Sequence, residues 1–297
     1  MAGWTRLADR TVVAAAGADV RGLLQGLISN DLDDLSPTTP LYAALLTPQG
    51  KYLFDFIVVE RGLELWLDVE ASRAADFARR LLLYRLRAKA DFEVRDDLAV
   101  YAVFDTEAPP PALPADGAAV AAVDPRLAKL GWRVWGDPAV VEPILRATCA
   151  ESTPEAYDRF RLLLGIPDGS RDLAPDKALL LENGFVELNG VAFDKGCFVG
   201  QELTARMKYR ATVRKRLLPV GIDGDAEPGT VIRDGEMEVG ELRSRQGDIG
   251  LALIRLDRWD KAKAAGRQLQ ADAATVAPWV PSWVDLSFAS KTAESSA

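Results

Sequence analysis

The sequence predicts an α+β protein that ends in a small β-barrel. Between residues 41 and 104 the chain reads strand, strand, strand, helix, strand, strand. That is the order of an antiparallel sheet with a helix laid on one face. After Arg216 the pattern changes to short strand-like runs parted by glycine-bearing turns, which mark a small all-β unit.

TVVAAAG is a strand candidate near the N-terminus, and ADVRGLLQGLISNDL places Val20, Leu23, Leu24, Leu27 and Ile28 at helical spacing, with Asp19 as a candidate cap. LYAALLTPQGKYLFDFIVVERGLELWLDVE gives three strands, with turns at PQGK and ERGLE. ASRAADFARRLLLYRLRAKADF is an amphipathic helix with a basic face, and EVRDDLAVYAVFD gives two more strands. TEAPPPALPADGA is a solvated Pro/Ala-rich loop. PAVVEPILRATCA and TPEAYDRFRLLLGIP are helices, the second stopped by Gly165 and Pro167. FDKGC ends an extended segment, and VGQELTARMKY starts a helix with Gln201 and Glu202 in its first turn. RLLPVGIDG, GTVIRDG, MEVGELRS, DIGLALIRL and RQLQADAATVAPWV supply the barrel strands. The expected division is 1–214, a barrel over 215–287, and a polar, disordered tail over 288–297.

Composition narrows the function. With 297 residues, 48% of them hydrophobic, the chain can build a large core or two to three domains. No apolar run approaches the roughly 20 residues of a membrane span, so no membrane partner is expected. The N-terminal stretch has Asp9 and only a brief Ala/Val run, a poor leader, so the expected compartment is the cytoplasm. Two unclustered cysteines fit its reducing conditions. The net charge of −8 argues against nucleic acid as a partner. The chain has no histidine, which excludes His-based triads and His metal ligands. Cys149 and Cys197 cannot supply a four-cysteine cluster site, and no metal site is expected.

One stretch concentrates chemistry: GVAFDKGCFVGQE, residues 190–202. Just before a helix N-terminus, unpaired N–H groups would favour the Cys197 thiolate. In an extended backbone Lys195 falls on the same side as Cys197, and an adjacent ammonium lowers a thiol pKa. Gly196 and Gly200 allow close approach of a ligand. The alternative is a small buried cysteine beside a turn.

KGCFVGQE resembles the K-G-C-[YF]-x-G-Q-E signature of the YgfZ family of folate-binding proteins, which is related to the aminomethyltransferase (T-protein) of the glycine cleavage system. LTARMKYRATVRKRL resembles the family's continuation past that signature. LLQGLISNDL, LLTPQGKYLFDFIV and YRLRAKADF resemble its N-terminal blocks, and the end at PWVPSWV resembles the T-protein barrel. The resemblance implies interleaved T-protein-like lobes around a central folate pocket. It implies tetrahydrofolate or a one-carbon derivative as cofactor. It also implies a role in assembly or repair of iron–sulfur clusters, with client or carrier proteins as partners, and it makes Lys195 and Cys197 the functional pair.

The same resemblance implies further site residues. Glu182 in LLLENGFVELNG falls where T-proteins read the pterin ring, and a carboxylate can accept two parallel N–H bonds there. Asp55 falls in the strand where T-proteins carry paired aspartates, but its neighbour here is Phe54. Asp55 is either a pterin contact or a strand residue at a solvent edge. Gln201, next to last in the signature, is a further cofactor contact. Arg206 opens the run Arg206, Lys208, Arg210, Arg214, Lys215, Arg216, which is either a docking site for folate carboxylates or a solvated linker. Asn30 is either pocket wall or helix end and turn. Two other readings stand beside the assembly factor: a folate-dependent aminomethyltransferase or demethylase, against which Phe54 counts, and a non-catalytic adaptor for cluster-carrying proteins.

Overall fold

The computed structural model describes residues 3–105, 111–114, 117–210 and 213–286. The expected disordered tail lies outside these, as does part of the Pro/Ala-rich loop. The chain forms two compact units interleaved in sequence. The first comprises Met1–Pro48, Leu53–Tyr157 and Leu188–Gln201, and the second Gln49–Tyr52, Asp158–Glu187 and Glu202–Ala297.

The first unit contains β1 (Gly3–Arg6), β2 (Arg10–Ala16), β3 (Leu41–Leu46), β4 (Tyr52–Arg61), β5 (Glu64–Glu70), β6 (Asp91–Arg95), β7 (Ala99–Phe104), β8 (Ala119–Val123) and β9 (Trp132–Gly136). Its helices are α1 (Val20–Gln25), α2 (Ala74–Arg85) and α3 (Pro138–Thr148). The strands form a five-stranded sheet ordered β3-β4-β5-β2-β6 and a four-stranded sheet ordered β1-β7-β9-β8.

Alternation along the strands sorts the side chains onto two faces. One face of the larger sheet carries Val13, Ala43, Leu45, Phe54, Phe56, Val58, Leu67 and Val69, packed with Phe77, Ala78 and Leu81 of α2. Phe77 stacks its ring 5.2 Å from Phe54 and 4.9 Å from Phe56. The smaller sheet packs Tyr101, Val103 and Val134 against Val141 and Leu145 of α3.

The other face of the larger sheet meets the smaller sheet through a buried polar seam. Arg10 donates to Asp68 at 2.7 Å, Trp135 Nε1 donates to the same carboxylate at 3.0 Å, and Arg133 lies 3.2 Å from it. Arg126 holds Asp124 through two bonds of 2.9 and 2.7 Å and lies over the Tyr42 ring. The Tyr42 hydroxyl donates to Asp55 at 3.0 Å. Three arginines and three aspartates thus share the seam, all nearly out of reach of water, with Asp68 and Asp124 paired to the arginines. Pairing of this kind is what lets charge stay buried. Burial alone would raise the Asp124 carboxyl, but the Arg126 guanidinium holds it below its ordinary value.

The second unit is built on a closed barrel of β10 (Lys215–Asp223), β11 (Val231–Asp234), β12 (Met237–Gln246), β13 (Ile249–Arg255), β14 (Leu269–Ala271) and β15 (Ala274–Pro278), in the order β10-β13-β12-β11-β14-β15. Closure leaves no open edge. Leu218, Val220, Ile232, Val239, Leu242 and Ile254 fill its core. Two of the dividing lines between the units fall within helices, inside α4 (Pro154–Leu164) and at the start of a later helix. Arg161 of α4 donates at 2.7 Å to Asp172, at the end of α5 (Gly169–Asp172), and Ser244 of β12 donates to the same carboxylate.

Several elements differ from expectation or carried none. α1 stops at Gln25, because Gly26 and the turn after it leave the helix. Asp19 does not cap α1 with its side chain, since that carboxylate accepts instead from the Lys89 backbone N–H at 2.7 Å. β8 and β9 come from AAVDPRLAKLGWRVWG, a stretch with no expected element: Trp132, Val134 and Trp135 suit a strand, and β9 pairs with β7 on one side and with the Ala-rich β8 on the other. FDKGC is a series of bends rather than an extended segment, and the helix α6 (Gln201–Arg210) begins four residues after Cys197. A further helix, α7 (Leu256–Ala264), comes after β13 without a signal strong enough to separate it from the strand pattern.

Candidate functional site: the Cys197 loop and the Glu182 turn

In the first unit, two segments far apart in sequence are stitched together: residues 25–31 after α1, and residues 189–199, which hold the cysteine. Ser29 Oγ donates to the Gly190 carbonyl at 2.6 Å and accepts from the Ala44 N–H. Asn30 Nδ2 donates to the carbonyls of Tyr42 and Asn189, both at 2.8 Å. The Ala192 N–H donates to the Ser29 carbonyl, and the Val199 N–H to the Gly26 carbonyl. Asn30 is therefore a cross-link between backbones.

Lys195 is the strongest of these anchors. Its ammonium donates to the carbonyls of Gln25 at 2.8 Å, Ile28 at 3.0 Å and Asn30 at 2.6 Å. These are carbonyls at and just past the end of α1, where a cation is favoured. Desolvation pulls the Lys195 pKa down to about 8, against the opposing pull of Asp31 and Asp33. Because the backbone bends, the extended geometry that would align Lys195 with Cys197 is absent. All three ammonium donors are directed at backbone oxygens.

Cys197 thus lies between two anchored points, Lys195 and Val199, and is exposed. A Cβ on Gly196 would meet nothing within 4 Å, so the thiol's surroundings are open on that side. Gly200 takes φ +83°, which lets the chain turn into α6. Cys149 is different: it is partly buried at the end of α3, and burial pushes its thiol pKa up. Among the described residues no group of three His, Cys, Asp or Glu side chains could hold a metal ion.

Asp55 is buried at 3% exposure, which overturns the solvent-edge alternative. Phe54, its neighbour, points to the opposite face, into the α2 core, with the Arg73 guanidinium 4.2 Å over its ring. A carboxylate at position 54 would therefore sit among phenylalanines, on the wrong side of the strand to act with Asp55.

In the second unit Glu182 sits on a 3₁₀ turn, Leu181–Asn183, half-buried. Burial raises its pKa, opposed by Lys215 and Lys51. The turn is fixed on both sides. Gly184 takes φ +77°, and a Cβ there would stand 3.0 Å from the Trp283 ring. Trp283 in turn donates to the Leu164 carbonyl at 2.6 Å. Arg216 donates to the Leu181 carbonyl at 2.7 Å and pairs with Glu187. Arg216 is thereby removed from the basic run: it is buried and holds the Glu182 turn from beneath. Arg206 is exposed and pairs with Glu202 one helical turn away at 2.9 Å. Gln201 opens α6, its N–H donating to the Phe198 carbonyl.

Sequence reasoning missed Ser29, Asn189 and Trp283 as positioning residues. The only trace of their role is the positive φ at Asn189 and Gly184, which favours Asn and Gly.

Fold and site together define a class: a protein with two antiparallel sheets, a C-terminal closed barrel and an exposed, backbone-anchored cysteine. The solved glycine cleavage system aminomethyltransferase T from Bartonella henselae superposes with a TM-score of 0.72 over 95% of this chain and 86% of that one, at 14% identity, a likeness of fold. Residues 214–286 match the CAF17 C-terminal beta-barrel domain. The mitochondrial iron–sulfur cluster assembly factor IBA57 of Mus musculus is 33% identical over 94% of this chain and 86% of its own length. That of Homo sapiens is 36% identical over 84% and 76%. The chain belongs to the IBA57 family of iron–sulfur cluster assembly factors.

Proposed function

We propose that this protein assists the assembly or repair of iron–sulfur clusters on carrier or client proteins, with Cys197 as the working thiol and a reduced folate, tetrahydrofolate or a one-carbon derivative, bound through Glu182. The observation that carries this is the exposed Cys197 thiol on a loop anchored at both ends. A thiol held in a fixed place but open to solvent suits chemistry on a group brought by another protein. The matched relatives are named as cluster assembly factors, which supports the same partner class. The YgfZ-type signature read from KGCFVGQE fits this reading. Glu182 supplies a half-buried carboxylate on a rigid turn, suited to paired N–H donors of a pterin.

The compartment is a reducing one. The named relatives are mitochondrial, and the cytoplasm expected from the sequence has the same redox character. No helix among the described residues is long and apolar enough to cross a membrane.

Calorimetry with tetrahydrofolate tests the folate half. Binding by the wild type, weakened by about 1.5–3 kcal/mol in Glu182→Ala, supports it. No binding by folded protein overturns it. Release of methylenetetrahydrofolate from an aminomethylated carrier would instead favour the aminomethyltransferase reading.

A further inference from the structure

Helix α2 is built to be seen from both sides. Its inner face, Ala74, Phe77, Ala78 and Leu81, is buried against the five-stranded sheet. Its outer face carries a second apolar group: Leu82, Leu83 and Leu86 are 38%, 67% and 89% exposed. Residues 82 and 83 lie four and three positions before 86, so the helix brings them to one patch.

Two features show that the fold itself does not ask for this patch. Leu86 ends the helix at φ +48° and ψ −103°, outside both the right- and left-handed helical regions, a conformation open to glycine and strained for leucine. An apolar side chain in a strained position, held in water, serves neither packing nor capping. The second feature is charge. Residues 71–89 hold six basic residues and one acidic in a chain of net charge −8. Arg79 pairs with Asp76 and Arg85 with Asp91, while the Arg80, Arg87 and Lys89 side chains have no ion pair among the described residues.

We infer that the outer face of α2 is a docking surface for a partner protein that offers an apolar socket rimmed by carboxylates. The leucines fill the socket, and Arg80, Arg87 and Lys89 meet the rim. Cations without an ion pair beside exposed leucines call for an occupant that is acidic at its rim and apolar within. A second copy of the chain meeting face to face would set the same cations against each other.

The test places a benzophenone photo-crosslinking residue at Leu83 in the full-length chain in cells, with Asp260 as an exposed control position. Adducts are identified by mass spectrometry, and the identified protein is purified for titration. The expected result is an acidic protein crosslinked from position 83 and not from 260. Its affinity falls at least tenfold with Leu82→Ser/Leu83→Ser, falls with Arg80→Glu/Arg87→Glu, and weakens with salt. Leu86→Gly separates surface from fold: it raises the melting temperature by relieving strain, yet weakens the partner. The inference is overturned by adducts only to the chain itself, by adducts equal from both positions or absent, or by a partner indifferent to these changes. Flotation with phosphatidylserine-containing vesicles that depends on the leucines, without a protein adduct, would equally overturn it in favour of a membrane surface.

Discussion

Replacing Lys195 with methionine keeps the unbranched apolar stem of the side chain and removes the ammonium with its three donors. Three carbonyls, of Gln25, Ile28 and Asn30, then lose a charged partner at 2.6–3.0 Å. Hydrogen bonds to charged groups are worth about 1.5–3 kcal/mol each. Part of that gross gain is spent in the folded protein on desolvating the ammonium, as the fall of its pKa to about 8 records. The Gln25 carbonyl is only partly buried and can turn to water, whereas those of Ile28 and Asn30 are buried. The net cost is about 2–4 kcal/mol. Urea unfolding followed by circular dichroism measures it. The pH dependence adds a second reading. The folded pKa, about 8, is below the ordinary 10.5, so between these values the unfolded chain binds more protons than the native one. The wild type therefore gains stability relative to Lys195→Met as pH rises through that window, with a slope of at most about 1.4 kcal/mol per pH unit. A loss below about 0.5 kcal/mol, of the size of ordinary surface substitutions, with no pH-dependent difference, would refute the anchoring role.

Asp124→Asn leaves Arg126 and Arg133 facing a neutral group in the seam between the sheets, and is expected to cost about 3–5 kcal/mol in urea unfolding. Because the native Asp124 pKa is depressed, its contribution is present above the ordinary carboxylate value and is lost as pH falls through the native one, so the variant shows a shallower acid limb. Gly184→Ala strains a φ of +77° and presses on Trp283, costing about 1–3 kcal/mol and weakening tetrahydrofolate binding by calorimetry. The Glu182 pKa is raised, so its own contribution to stability declines as pH climbs through the window above the ordinary value. Folate affinity should rise through the same window as the carboxylate forms, and Glu182→Gln should flatten that rise.

The barrel was legible because period-two alternation and glycine turns are local signals, and LPVGI and GLALI needed no knowledge of their partners. The cysteine was legible as a motif. Its setting was not, because the anchors are non-local: Lys195 reaches carbonyls about 165–170 positions earlier, and nothing in DKGC encodes that. The same holds for Arg216, which reads as one more cation in a basic run and is buried beneath the Glu182 turn. The face of a strand residue was partly readable. Phe54, Phe56 and Val58 alternate with Asp55, so the pattern already put Phe54 and Asp55 on opposite sides. The outward leucines of α2 were visible only as helical sequence, since periodicity cannot tell a second apolar face from a wide core stripe.

The central claim is that Cys197 is the working thiol. The direct measurement is iron–sulfur enzyme activity in cells whose only copy of the protein carries Cys197→Ser, with protein level and melting temperature checked alongside, and iodoacetamide kinetics read by mass spectrometry on the wild type. The account predicts normal abundance and stability with enzyme activity reduced to that of cells lacking the protein, and faster alkylation at Cys197 than at the partly buried Cys149. Full enzyme activity with Cys197→Ser, and a native Cys197 slower to alkylate than Cys149, would contradict it.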